Sequence, residues 1–314
     1  MAVERQKMIL VPVDGSENSL RSLDYINLMF GPKHNLKVIV FHVLPSLPSV
    51  LIEESRKDAK IGEQIQNLKK KNIGLAERLL TDSKNKLFKM GFADQAVETV
   101  YQERRVGIAR DICNWAEDNR ADAVIISTQG RSKLAAFFLG ETANKVLEYS
   151  RTFPVWMVKG TVEKKHLILA IDNSKNALRA VDHAGFMLSG TDVNVTVFHS
   201  KRDLKRFLPK ELADEFPEVQ KFWQRKAGKV ILPFIQKAKD MLLEAGLREG
   251  QITTKLVDGS RSAAADILEE MNSSKAGSLF MGLHGHSNIE DFAMGSVTRK
   301  VLNHAENTAV CIVP

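Results

Sequence analysis

A glycine-rich segment near the C-terminus has the spacing best suited to chemistry. Gly282, Gly285 and Gly295 lack a Cβ, so their backbone can turn tightly and approach a ligand closely. A helix that begins at Gly295-Ser296 would offer free N–H groups and the positive end of its dipole to an anion. The hydroxyls of Ser296 and Thr298 can add hydrogen bonds. The segment therefore predicts a phosphate cradle, although glycine-rich loops also serve as simple turns.

Other phosphate and metal motifs are missing from the sequence. It has no G-x-x-x-x-G-K-[ST] segment and no G-x-G-x-x-G after its first strand, which argues against a P-loop NTPase and an ordinary NAD-binding fold. His284 and His286 form an H-x-H pair, but two imidazoles without a nearby carboxylate or thiolate make an incomplete metal site. We expect no protein-bound metal and no catalytic residue. Mg²⁺ bridging nucleotide phosphates is the more plausible metal.

The chain repeats itself once, and the repeat sets its domain organisation. Asp14 aligns with Asp172 at an offset of 158 residues, and Gly140 aligns with Gly295 at an offset of 155. Between these pairs the same order of matches recurs, as expected for a duplicated domain with small loop deletions. A short polar join around residues 159–165 separates the copies. We predict two domains, residues 1–159 and 160–314.

Each half alternates short apolar runs with helical patterns, and in the first half these predict helices at 63–90, 108–118 and 141–149. In the first half the predicted strands are 8–13, 36–44, 96–101, 123–127 and 155–158, and in the second half 167–172, 194–199, 252–257, 278–282 and 309–313. Continuous apolar strands indicate a parallel sheet covered on both faces. We predict two five-stranded, doubly wound α/β domains of flavodoxin-like or Rossmann-like type, with ligands at the carboxyl ends of the strands.

The glycine spacing resembles that of a known family. Gly282, Gly285, Gly295 and Ser296 match the pattern G-2x-G-9x-G-[ST] of the universal stress proteins. Both halves share the resemblance, so the chain looks like a tandem member. The resemblance implies strand order 3-2-1-4-5 and an adenine nucleotide, ATP or else ADP or AMP, with its phosphates on the glycine loop.

Carried over by this resemblance, the nucleotide contacts fall in the second half. The phosphates and ribose would be held by Gly282, Gly285, Gly295, Ser296, Val297 and Thr298. Ala170, Asp172 and Ser200 would line the adenine and ribose side, with Met281 packed beside them. Ala170 stands where the family often has Pro, and Ser200 where it often has Val.

The first half departs from the pattern. Its loop reads Ser127, Gly130, Gly140 and Glu141, so the first glycine is a serine and the final Ser/Thr is a glutamate. Ser127 would place a Cβ where the backbone must approach the ligand, and the carboxylate of Glu141 would repel phosphates. The sequence therefore predicts one intact nucleotide site and one altered copy.

Composition limits the functional classes. The net charge is +7, from 45 Lys+Arg and 38 Asp+Glu, and the basic residues are scattered, so we expect neither a nucleic-acid nor a membrane partner. Apolar residues make up 44% of the chain, close to the globular average. Cys113 and Cys311 lie far apart and predict buried small side chains rather than a disulfide. A cytoplasmic location is expected.

The leading hypothesis is an ATP-binding stress-response protein that acts as a sensor or regulator. An ATPase of low turnover, a non-nucleotide scaffold and a flavin electron carrier are the alternatives. Family members commonly dimerise through the last strand, so Val155–Val158 is expected to pair with Ala309–Val313 as an intramolecular pseudo-dimer, with homodimerisation of the whole chain also open. The aromatic-rich stretch 201–226 is expected to form a lid or a helical cover.

Overall fold

The computed structural model describes residues 5–32, 35–128, 141–201, 208, 212, 215–258, 262–285 and 294–314. Among these residues no helix is both long enough and apolar enough to cross a membrane. The first half contains β1 (Lys7–Pro12), α1 (Glu17–Phe30), β2 (Leu36–Leu44), α2 (Ser49–Lys57), α3 (Ala59–Lys89), β3 (Val97–Glu103), α4 (Ile108–Asp118), β4 (Ala123–Thr128), α5 (Glu141–Tyr149) and β5 (Val155–Lys159). The second half contains β6 (His166–Ala170), α6 (Lys175–Leu188), β7 (Asn194–Lys201), α7 (Pro217–Glu244), β8 (Ile252–Asp258), α8 (Ala263–Ser274), β9 (Ser278–Gly282), α9 (Ser296–His304) and β10 (Thr308–Val313).

The ten strands form one sheet in the order β3-β2-β1-β4-β5-β10-β9-β6-β7-β8. Within each half the order is 3-2-1-4-5, as the family resemblance implied. The prediction of two five-stranded sheets is corrected in one respect, because their edges join into a single continuous sheet. Pairing at β5 and β10 removes two exposed edges that would otherwise leave backbone groups without partners.

The junction between the halves is an antiparallel pairing of β5 with β10, which confirms the predicted contact between the final strands. Trp156 lies opposite Cys311, its own counterpart in the repeat, so the pairing is symmetric about these two residues. The Trp156 indole N–H donates to His183 Nε2 at 3.0 Å. On the other side of the junction, the Tyr25 hydroxyl and Ser278 Oγ lie 2.8 Å apart. Tyr25 and His183 occupy the same position in the two repeats, and each makes a hydrogen bond to a strand of the other half.

Both faces of the sheet are covered, and each apolar core runs through both halves. One face packs against α1, α3, α6 and α7, with side chains such as Leu23 and Val181 in the same cluster. The opposite face packs against α4, α5, α8 and α9, with Ile112 and Val301 in the other cluster. This arrangement explains the continuous apolar strands in the sequence, because both sides of each central strand are buried.

Local sequence signals determine where the first helix of each half begins. Ser16 Oγ accepts the Ser19 N–H at 3.2 Å, and Ser174 Oγ accepts the Ala177 N–H at 3.1 Å. Serine is a favoured N-cap because its side chain satisfies an N–H that the helix cannot. The turn after the first strand therefore has the same cap in both copies.

The join between the halves packs tightly against the second domain. A Cβ on Gly277 would lie 2.1 Å from the Lys164 carbonyl oxygen, a distance that real Cβ atoms do not reach. Glycine at position 277 therefore lets the linker backbone lie directly over the start of β9.

The aromatic-rich stretch 201–226 lies partly outside the described residues. Its described C-terminal portion belongs to α7, which packs through Ile231, Ile235 and Leu242. Phe216 and Phe222 remain about half exposed, at 54% and 52%. Whether this stretch covers a ligand stays a prediction.

Candidate functional site

The carboxyl ends of β6 and β9 and the start of α9 meet at one edge of the second half. Asp172 follows β6 by two residues, so it lies in the turn and not at the end of the strand as predicted. The Ser174 N–H donates to Asp172 Oδ1 at 2.9 Å. A Cβ on Gly285 would lie 2.7 Å from Asp172 Oδ2. The Asp172 carboxylate therefore lies close to the glycine loop, and any residue other than glycine at position 285 would force this carboxylate to move.

The loop after β9 is held by backbone contacts at its first residues. The Leu283 N–H donates to the Val313 carbonyl at 2.7 Å, and Asn176 Nδ2 donates to the His284 carbonyl at 3.2 Å. A Cβ on Gly282 would lie 2.9 Å from Asn176 Cβ and 3.0 Å from its backbone carbon. Gly282 is thus required for close packing of the strand end against α6. Sequence reasoning gave Asn176 no role, although its repeat match with Asn18 was a usable signal.

The start of α9 is tied to the same loop. The Gly295 N–H donates to the Leu283 carbonyl at 3.1 Å. The buried Thr298 hydroxyl lies 3.3 Å from the Gly282 carbonyl and 3.4 Å from that of Leu283. Gly295 is the N-cap and has no side chain to occupy the helix end, so the first N–H groups of α9 lie beside the loop. Ser296 is exposed there, and Val297 is partly buried. This geometry suits an anion.

The residues predicted for the base side are less closely grouped. Met281 is buried and Ala170 packs partly buried against the same apolar cluster. Ser200, near the end of β7, donates its hydroxyl to the Asp266 carboxylate. Asp266 was missed by sequence reasoning. It lies in the first turn of α8, after the Ser262 N-cap, where an acidic residue is common at a helix start.

Two histidines at equivalent positions of the repeat have the same structural role in both halves. His42 Nδ1 lies 2.8 Å from the Val13 carbonyl, and His199 Nδ1 lies 2.7 Å from the Ile171 carbonyl. Each ring therefore fixes the turn that carries the neighbouring aspartate. His286 lies outside the described residues. Within the described part of the chain, no group of three or more His, Cys, Asp or Glu side chains could hold a metal ion.

The equivalent position in the first half is arranged differently. Gly130 and Gly140 lie outside the described residues. Ser127 Oγ lies 2.7 Å from Ser22 Oγ on α1, so this side chain turns toward the helix. Ser127 also lines a cavity at this strand end, and the idea that its Cβ hinders the approach of a ligand stays a prediction.

Acidic groups dominate the first-half site. Burial opposes ionisation of Asp14, but hydrogen bonds from Ser16 and Ser19 outweigh it and lower the pKa of the carboxyl group. A hydrogen bond from Lys145 lowers the pKa of Glu141, which begins α5. Glu141 thus supplies its own negative charge at the helix end where an anionic ligand would otherwise bind.

Comparisons with known proteins agree with this architecture. The model of the universal stress protein family matches residues 6–159 and again residues 164–314. The crystal structure of a universal stress protein from Archaeoglobus fulgidus DSM 4304 is similar over 98% of this chain and 98% of its own, with a TM-score of 0.64 and 18% identity. A putative universal stress protein from Pseudomonas aeruginosa UCBPP-PA14 is similar over 99% of this chain and 94% of its own, with a TM-score of 0.53 and 14% identity. No curated protein matches the sequence significantly. With a family match in each half and a shared fold along the whole length, the chain belongs to the universal stress protein family as a tandem member.

Proposed function

We propose that the second domain binds an adenine nucleotide, ATP or its di- or monophosphate, and that the protein acts as a sensor or regulator in a stress response. The observation that carries this proposal is the convergence of Asp172, Gly285 and the N-terminus of α9. A carboxylate suited to ribose hydroxyls and a helix end suited to phosphate lie on either side of one loop.

The phosphates would lie on the loop Gly282–Gly285 and on the N–H groups of Ser296 and Val297. Thr298 supports this cradle indirectly, because its hydroxyl contacts the loop carbonyls. The adenine would lie toward Ala170, Met281 and Ser200. Mg²⁺ would be held by the phosphates and water.

We expect the site to bind nucleotide without rapid turnover. Asp172 accepts the Ser174 N–H, and His199 contacts the Ile171 carbonyl. Both side chains hold the β6–α6 turn, a role that keeps them in place during binding.

We also propose that residues 1–159 and 160–314 are the two units of the chain and that they form an intramolecular pseudo-dimer. The antiparallel contact of β5 with β10 supports this proposal. Fusion of the halves would place the two partners at high effective concentration.

Isothermal titration of the full chain with ATP tests the proposal. We expect one nucleotide per chain and at least tenfold weaker binding by Gly285→Ala, because the new Cβ displaces the Asp172 carboxylate. Gly250→Ala is the matched control, since a Cβ at that position meets no atom within 4 Å. Unchanged binding by Gly285→Ala, or no binding by the wild type, would refute the proposed site.

A further inference from the structure

The first half contains a cavity that the nucleotide proposal leaves unused. It has a volume of about 430 Å³ and lies at the carboxyl ends of β1, β2 and β4. Small-molecule sites in proteins typically enclose roughly 300–1,000 Å³. The cavity is therefore large enough for a small organic ligand.

The walls of this cavity are mostly apolar. Phe41, Ile112 and Ile126 line it and are buried in the protein core. Ile108, at the beginning of α4, also lines it and is 42% exposed. Because the other three side chains are already buried, a ligand would remove apolar surface from water mainly by covering Ile108, which favours binding.

The polar lining combines acidic groups with the hydroxyls of Ser19, Ser127 and Thr142, which can donate or accept hydrogen bonds. Asp14 and Glu141 both line the cavity, and both carboxyl groups have lowered pKa values, so they are ionised at neutral pH. His42 also lines it. Its Nδ1 donates to the Val13 carbonyl at 2.8 Å, which holds the ring in place. No lysine or arginine occurs among the described residues that line the cavity. The ionised carboxylates of Asp14 and Glu141 therefore favour a ligand with positive charge over one with negative charge.

Comparison of the two halves shows which features have changed. At the helix start, Ser296 of the second half corresponds to Glu141, and Thr298 corresponds to Ala143. A hydroxyl has become a carboxylate, and another has become a methyl group. Asp14 and His42, by contrast, keep the same residue types and the same backbone contacts as Asp172 and His199. Two hydroxyls suited to phosphate are replaced at the helix start, while Asp14, His42 and the apolar lining remain.

We propose that the first-half cavity binds a small amphipathic organic cation, whose ammonium group pairs with Asp14 and whose apolar body covers Ile108. Glu141 adds negative charge at the rim and excludes phosphorylated ligands. Lys145 pairs with Glu141, so the Asp14 carboxylate supplies the main unpaired charge. The proposal does not depend on nucleotide binding by the second half.

The test uses three probes of nearly the same shape and different charge, each titrated calorimetrically into the full chain. They are 2-phenylethylammonium, neutral 2-phenylethanol and anionic 3-phenylpropanoate. We expect the ammonium to bind at least tenfold more tightly than the alcohol, and the anion to show no saturation. Asp14→Asn should weaken binding of the ammonium probe about tenfold, as expected for the loss of a charge-assisted contact. Glu141→Gln should weaken it less, because that carboxylate is shared with Lys145.

ATP titration of the same Asp14→Asn protein separates this proposal from the previous one and reports on folding. Unchanged ATP affinity with weakened ammonium affinity supports two distinct sites. Equal binding of the three probes, no binding of the ammonium, or an Asp14→Asn protein that binds it as tightly as the wild type would each overturn the proposal.

Discussion

The buried histidine at the junction of the halves predicts how stability depends on pH. His183 is 8% exposed and accepts the Trp156 N–H, and burial lowers the pKa of its imidazole to about 3. The ordinary value is about 6.5. The folded state therefore holds this ring neutral, while the unfolded chain protonates it below about pH 6.5.

The sign and size follow from proton linkage. Because the folded pKa is depressed, the contribution to stability is fully present above about pH 6.5 and is lost as the pH falls toward 3. One proton taken up on unfolding changes the free energy of unfolding by about 1.4 kcal/mol per pH unit. Across the whole window the loss amounts to roughly 4 to 5 kcal/mol, a large share of the stability of an ordinary domain.

His183→Gln isolates this contribution, because glutamine keeps an acceptor for Trp156 but does not titrate. Urea unfolding of both proteins between pH 4 and 7 gives the free energy of unfolding at each pH. We expect the advantage of the wild type over the variant to shrink by about 1.4 kcal/mol per unit as the pH falls from 6 to 4. Carboxylates that titrate in the same range cancel in this difference.

Tyr25→Phe is the matched control, because Tyr25 is the counterpart of His183 in the repeat. Burial raises the pKa of the Tyr25 hydroxyl further above its ordinary value, so it does not titrate in this range. Its removal should cost a constant amount, on the order of 1 kcal/mol for the hydrogen bond to Ser278. If the curves of the wild type and His183→Gln run parallel, the reasoning is refuted.

Three further predictions concern packing, thiol reactivity and the loop. Gly277→Ala should lower the free energy of unfolding by about 1–3 kcal/mol or more, because its Cβ would meet the linker carbonyl. Gly250→Ala is the control and should cost under about 1 kcal/mol. Urea denaturation measures both values. Cys113 and Cys311 are buried, and burial raises the pKa of both thiols, that of Cys113 to about 12. Neither thiol should therefore react with a disulfide reagent at pH 8 until the protein unfolds. Rapid labelling of the native protein would contradict this. Thr298→Val should weaken ATP binding severalfold in calorimetry, because it removes the hydroxyl contacts between α9 and the loop, and equal affinity would show that these contacts do not shape the site.

Much of the fold follows from local sequence signals. Helices at Ile108–Asp118 and Glu141–Tyr149 and the strand Leu36–Leu44 have the predicted bounds, because each has a clear period and clear ends. The long helical stretch beginning near residue 63 was placed too late. The structure begins α3 at Ala59, where Asp58 accepts the N–H groups of Lys60 and Ile61. Asp58 lies within a run of polar residues, so the sequence alone does not single it out as the N-cap of this helix.

The candidate site was only partly predictable. The glycine spacing singled out Gly282, Gly285 and Gly295, but it did not reveal why each is glycine. Gly282 packs against Asn176 and Gly285 against Asp172, contacts between residues more than 100 positions apart. The partner of Ser200 and the direction of Ser127 likewise depend on how a neighbouring helix lies on the sheet, which no local pattern specifies.

The sequence alone determined that the chain is a duplicated α/β domain with one intact and one altered glycine loop, because repeats, apolar periods and glycine spacing are properties of the chain itself. The tertiary structure decided that the two copies share one ten-stranded sheet, with Trp156 and His183 joined across it. It also decided that the altered copy keeps a cavity with acidic and apolar walls. The physical reason is that these features arise from contacts between distant residues, and the packing of helices against the sheet brings such residues together.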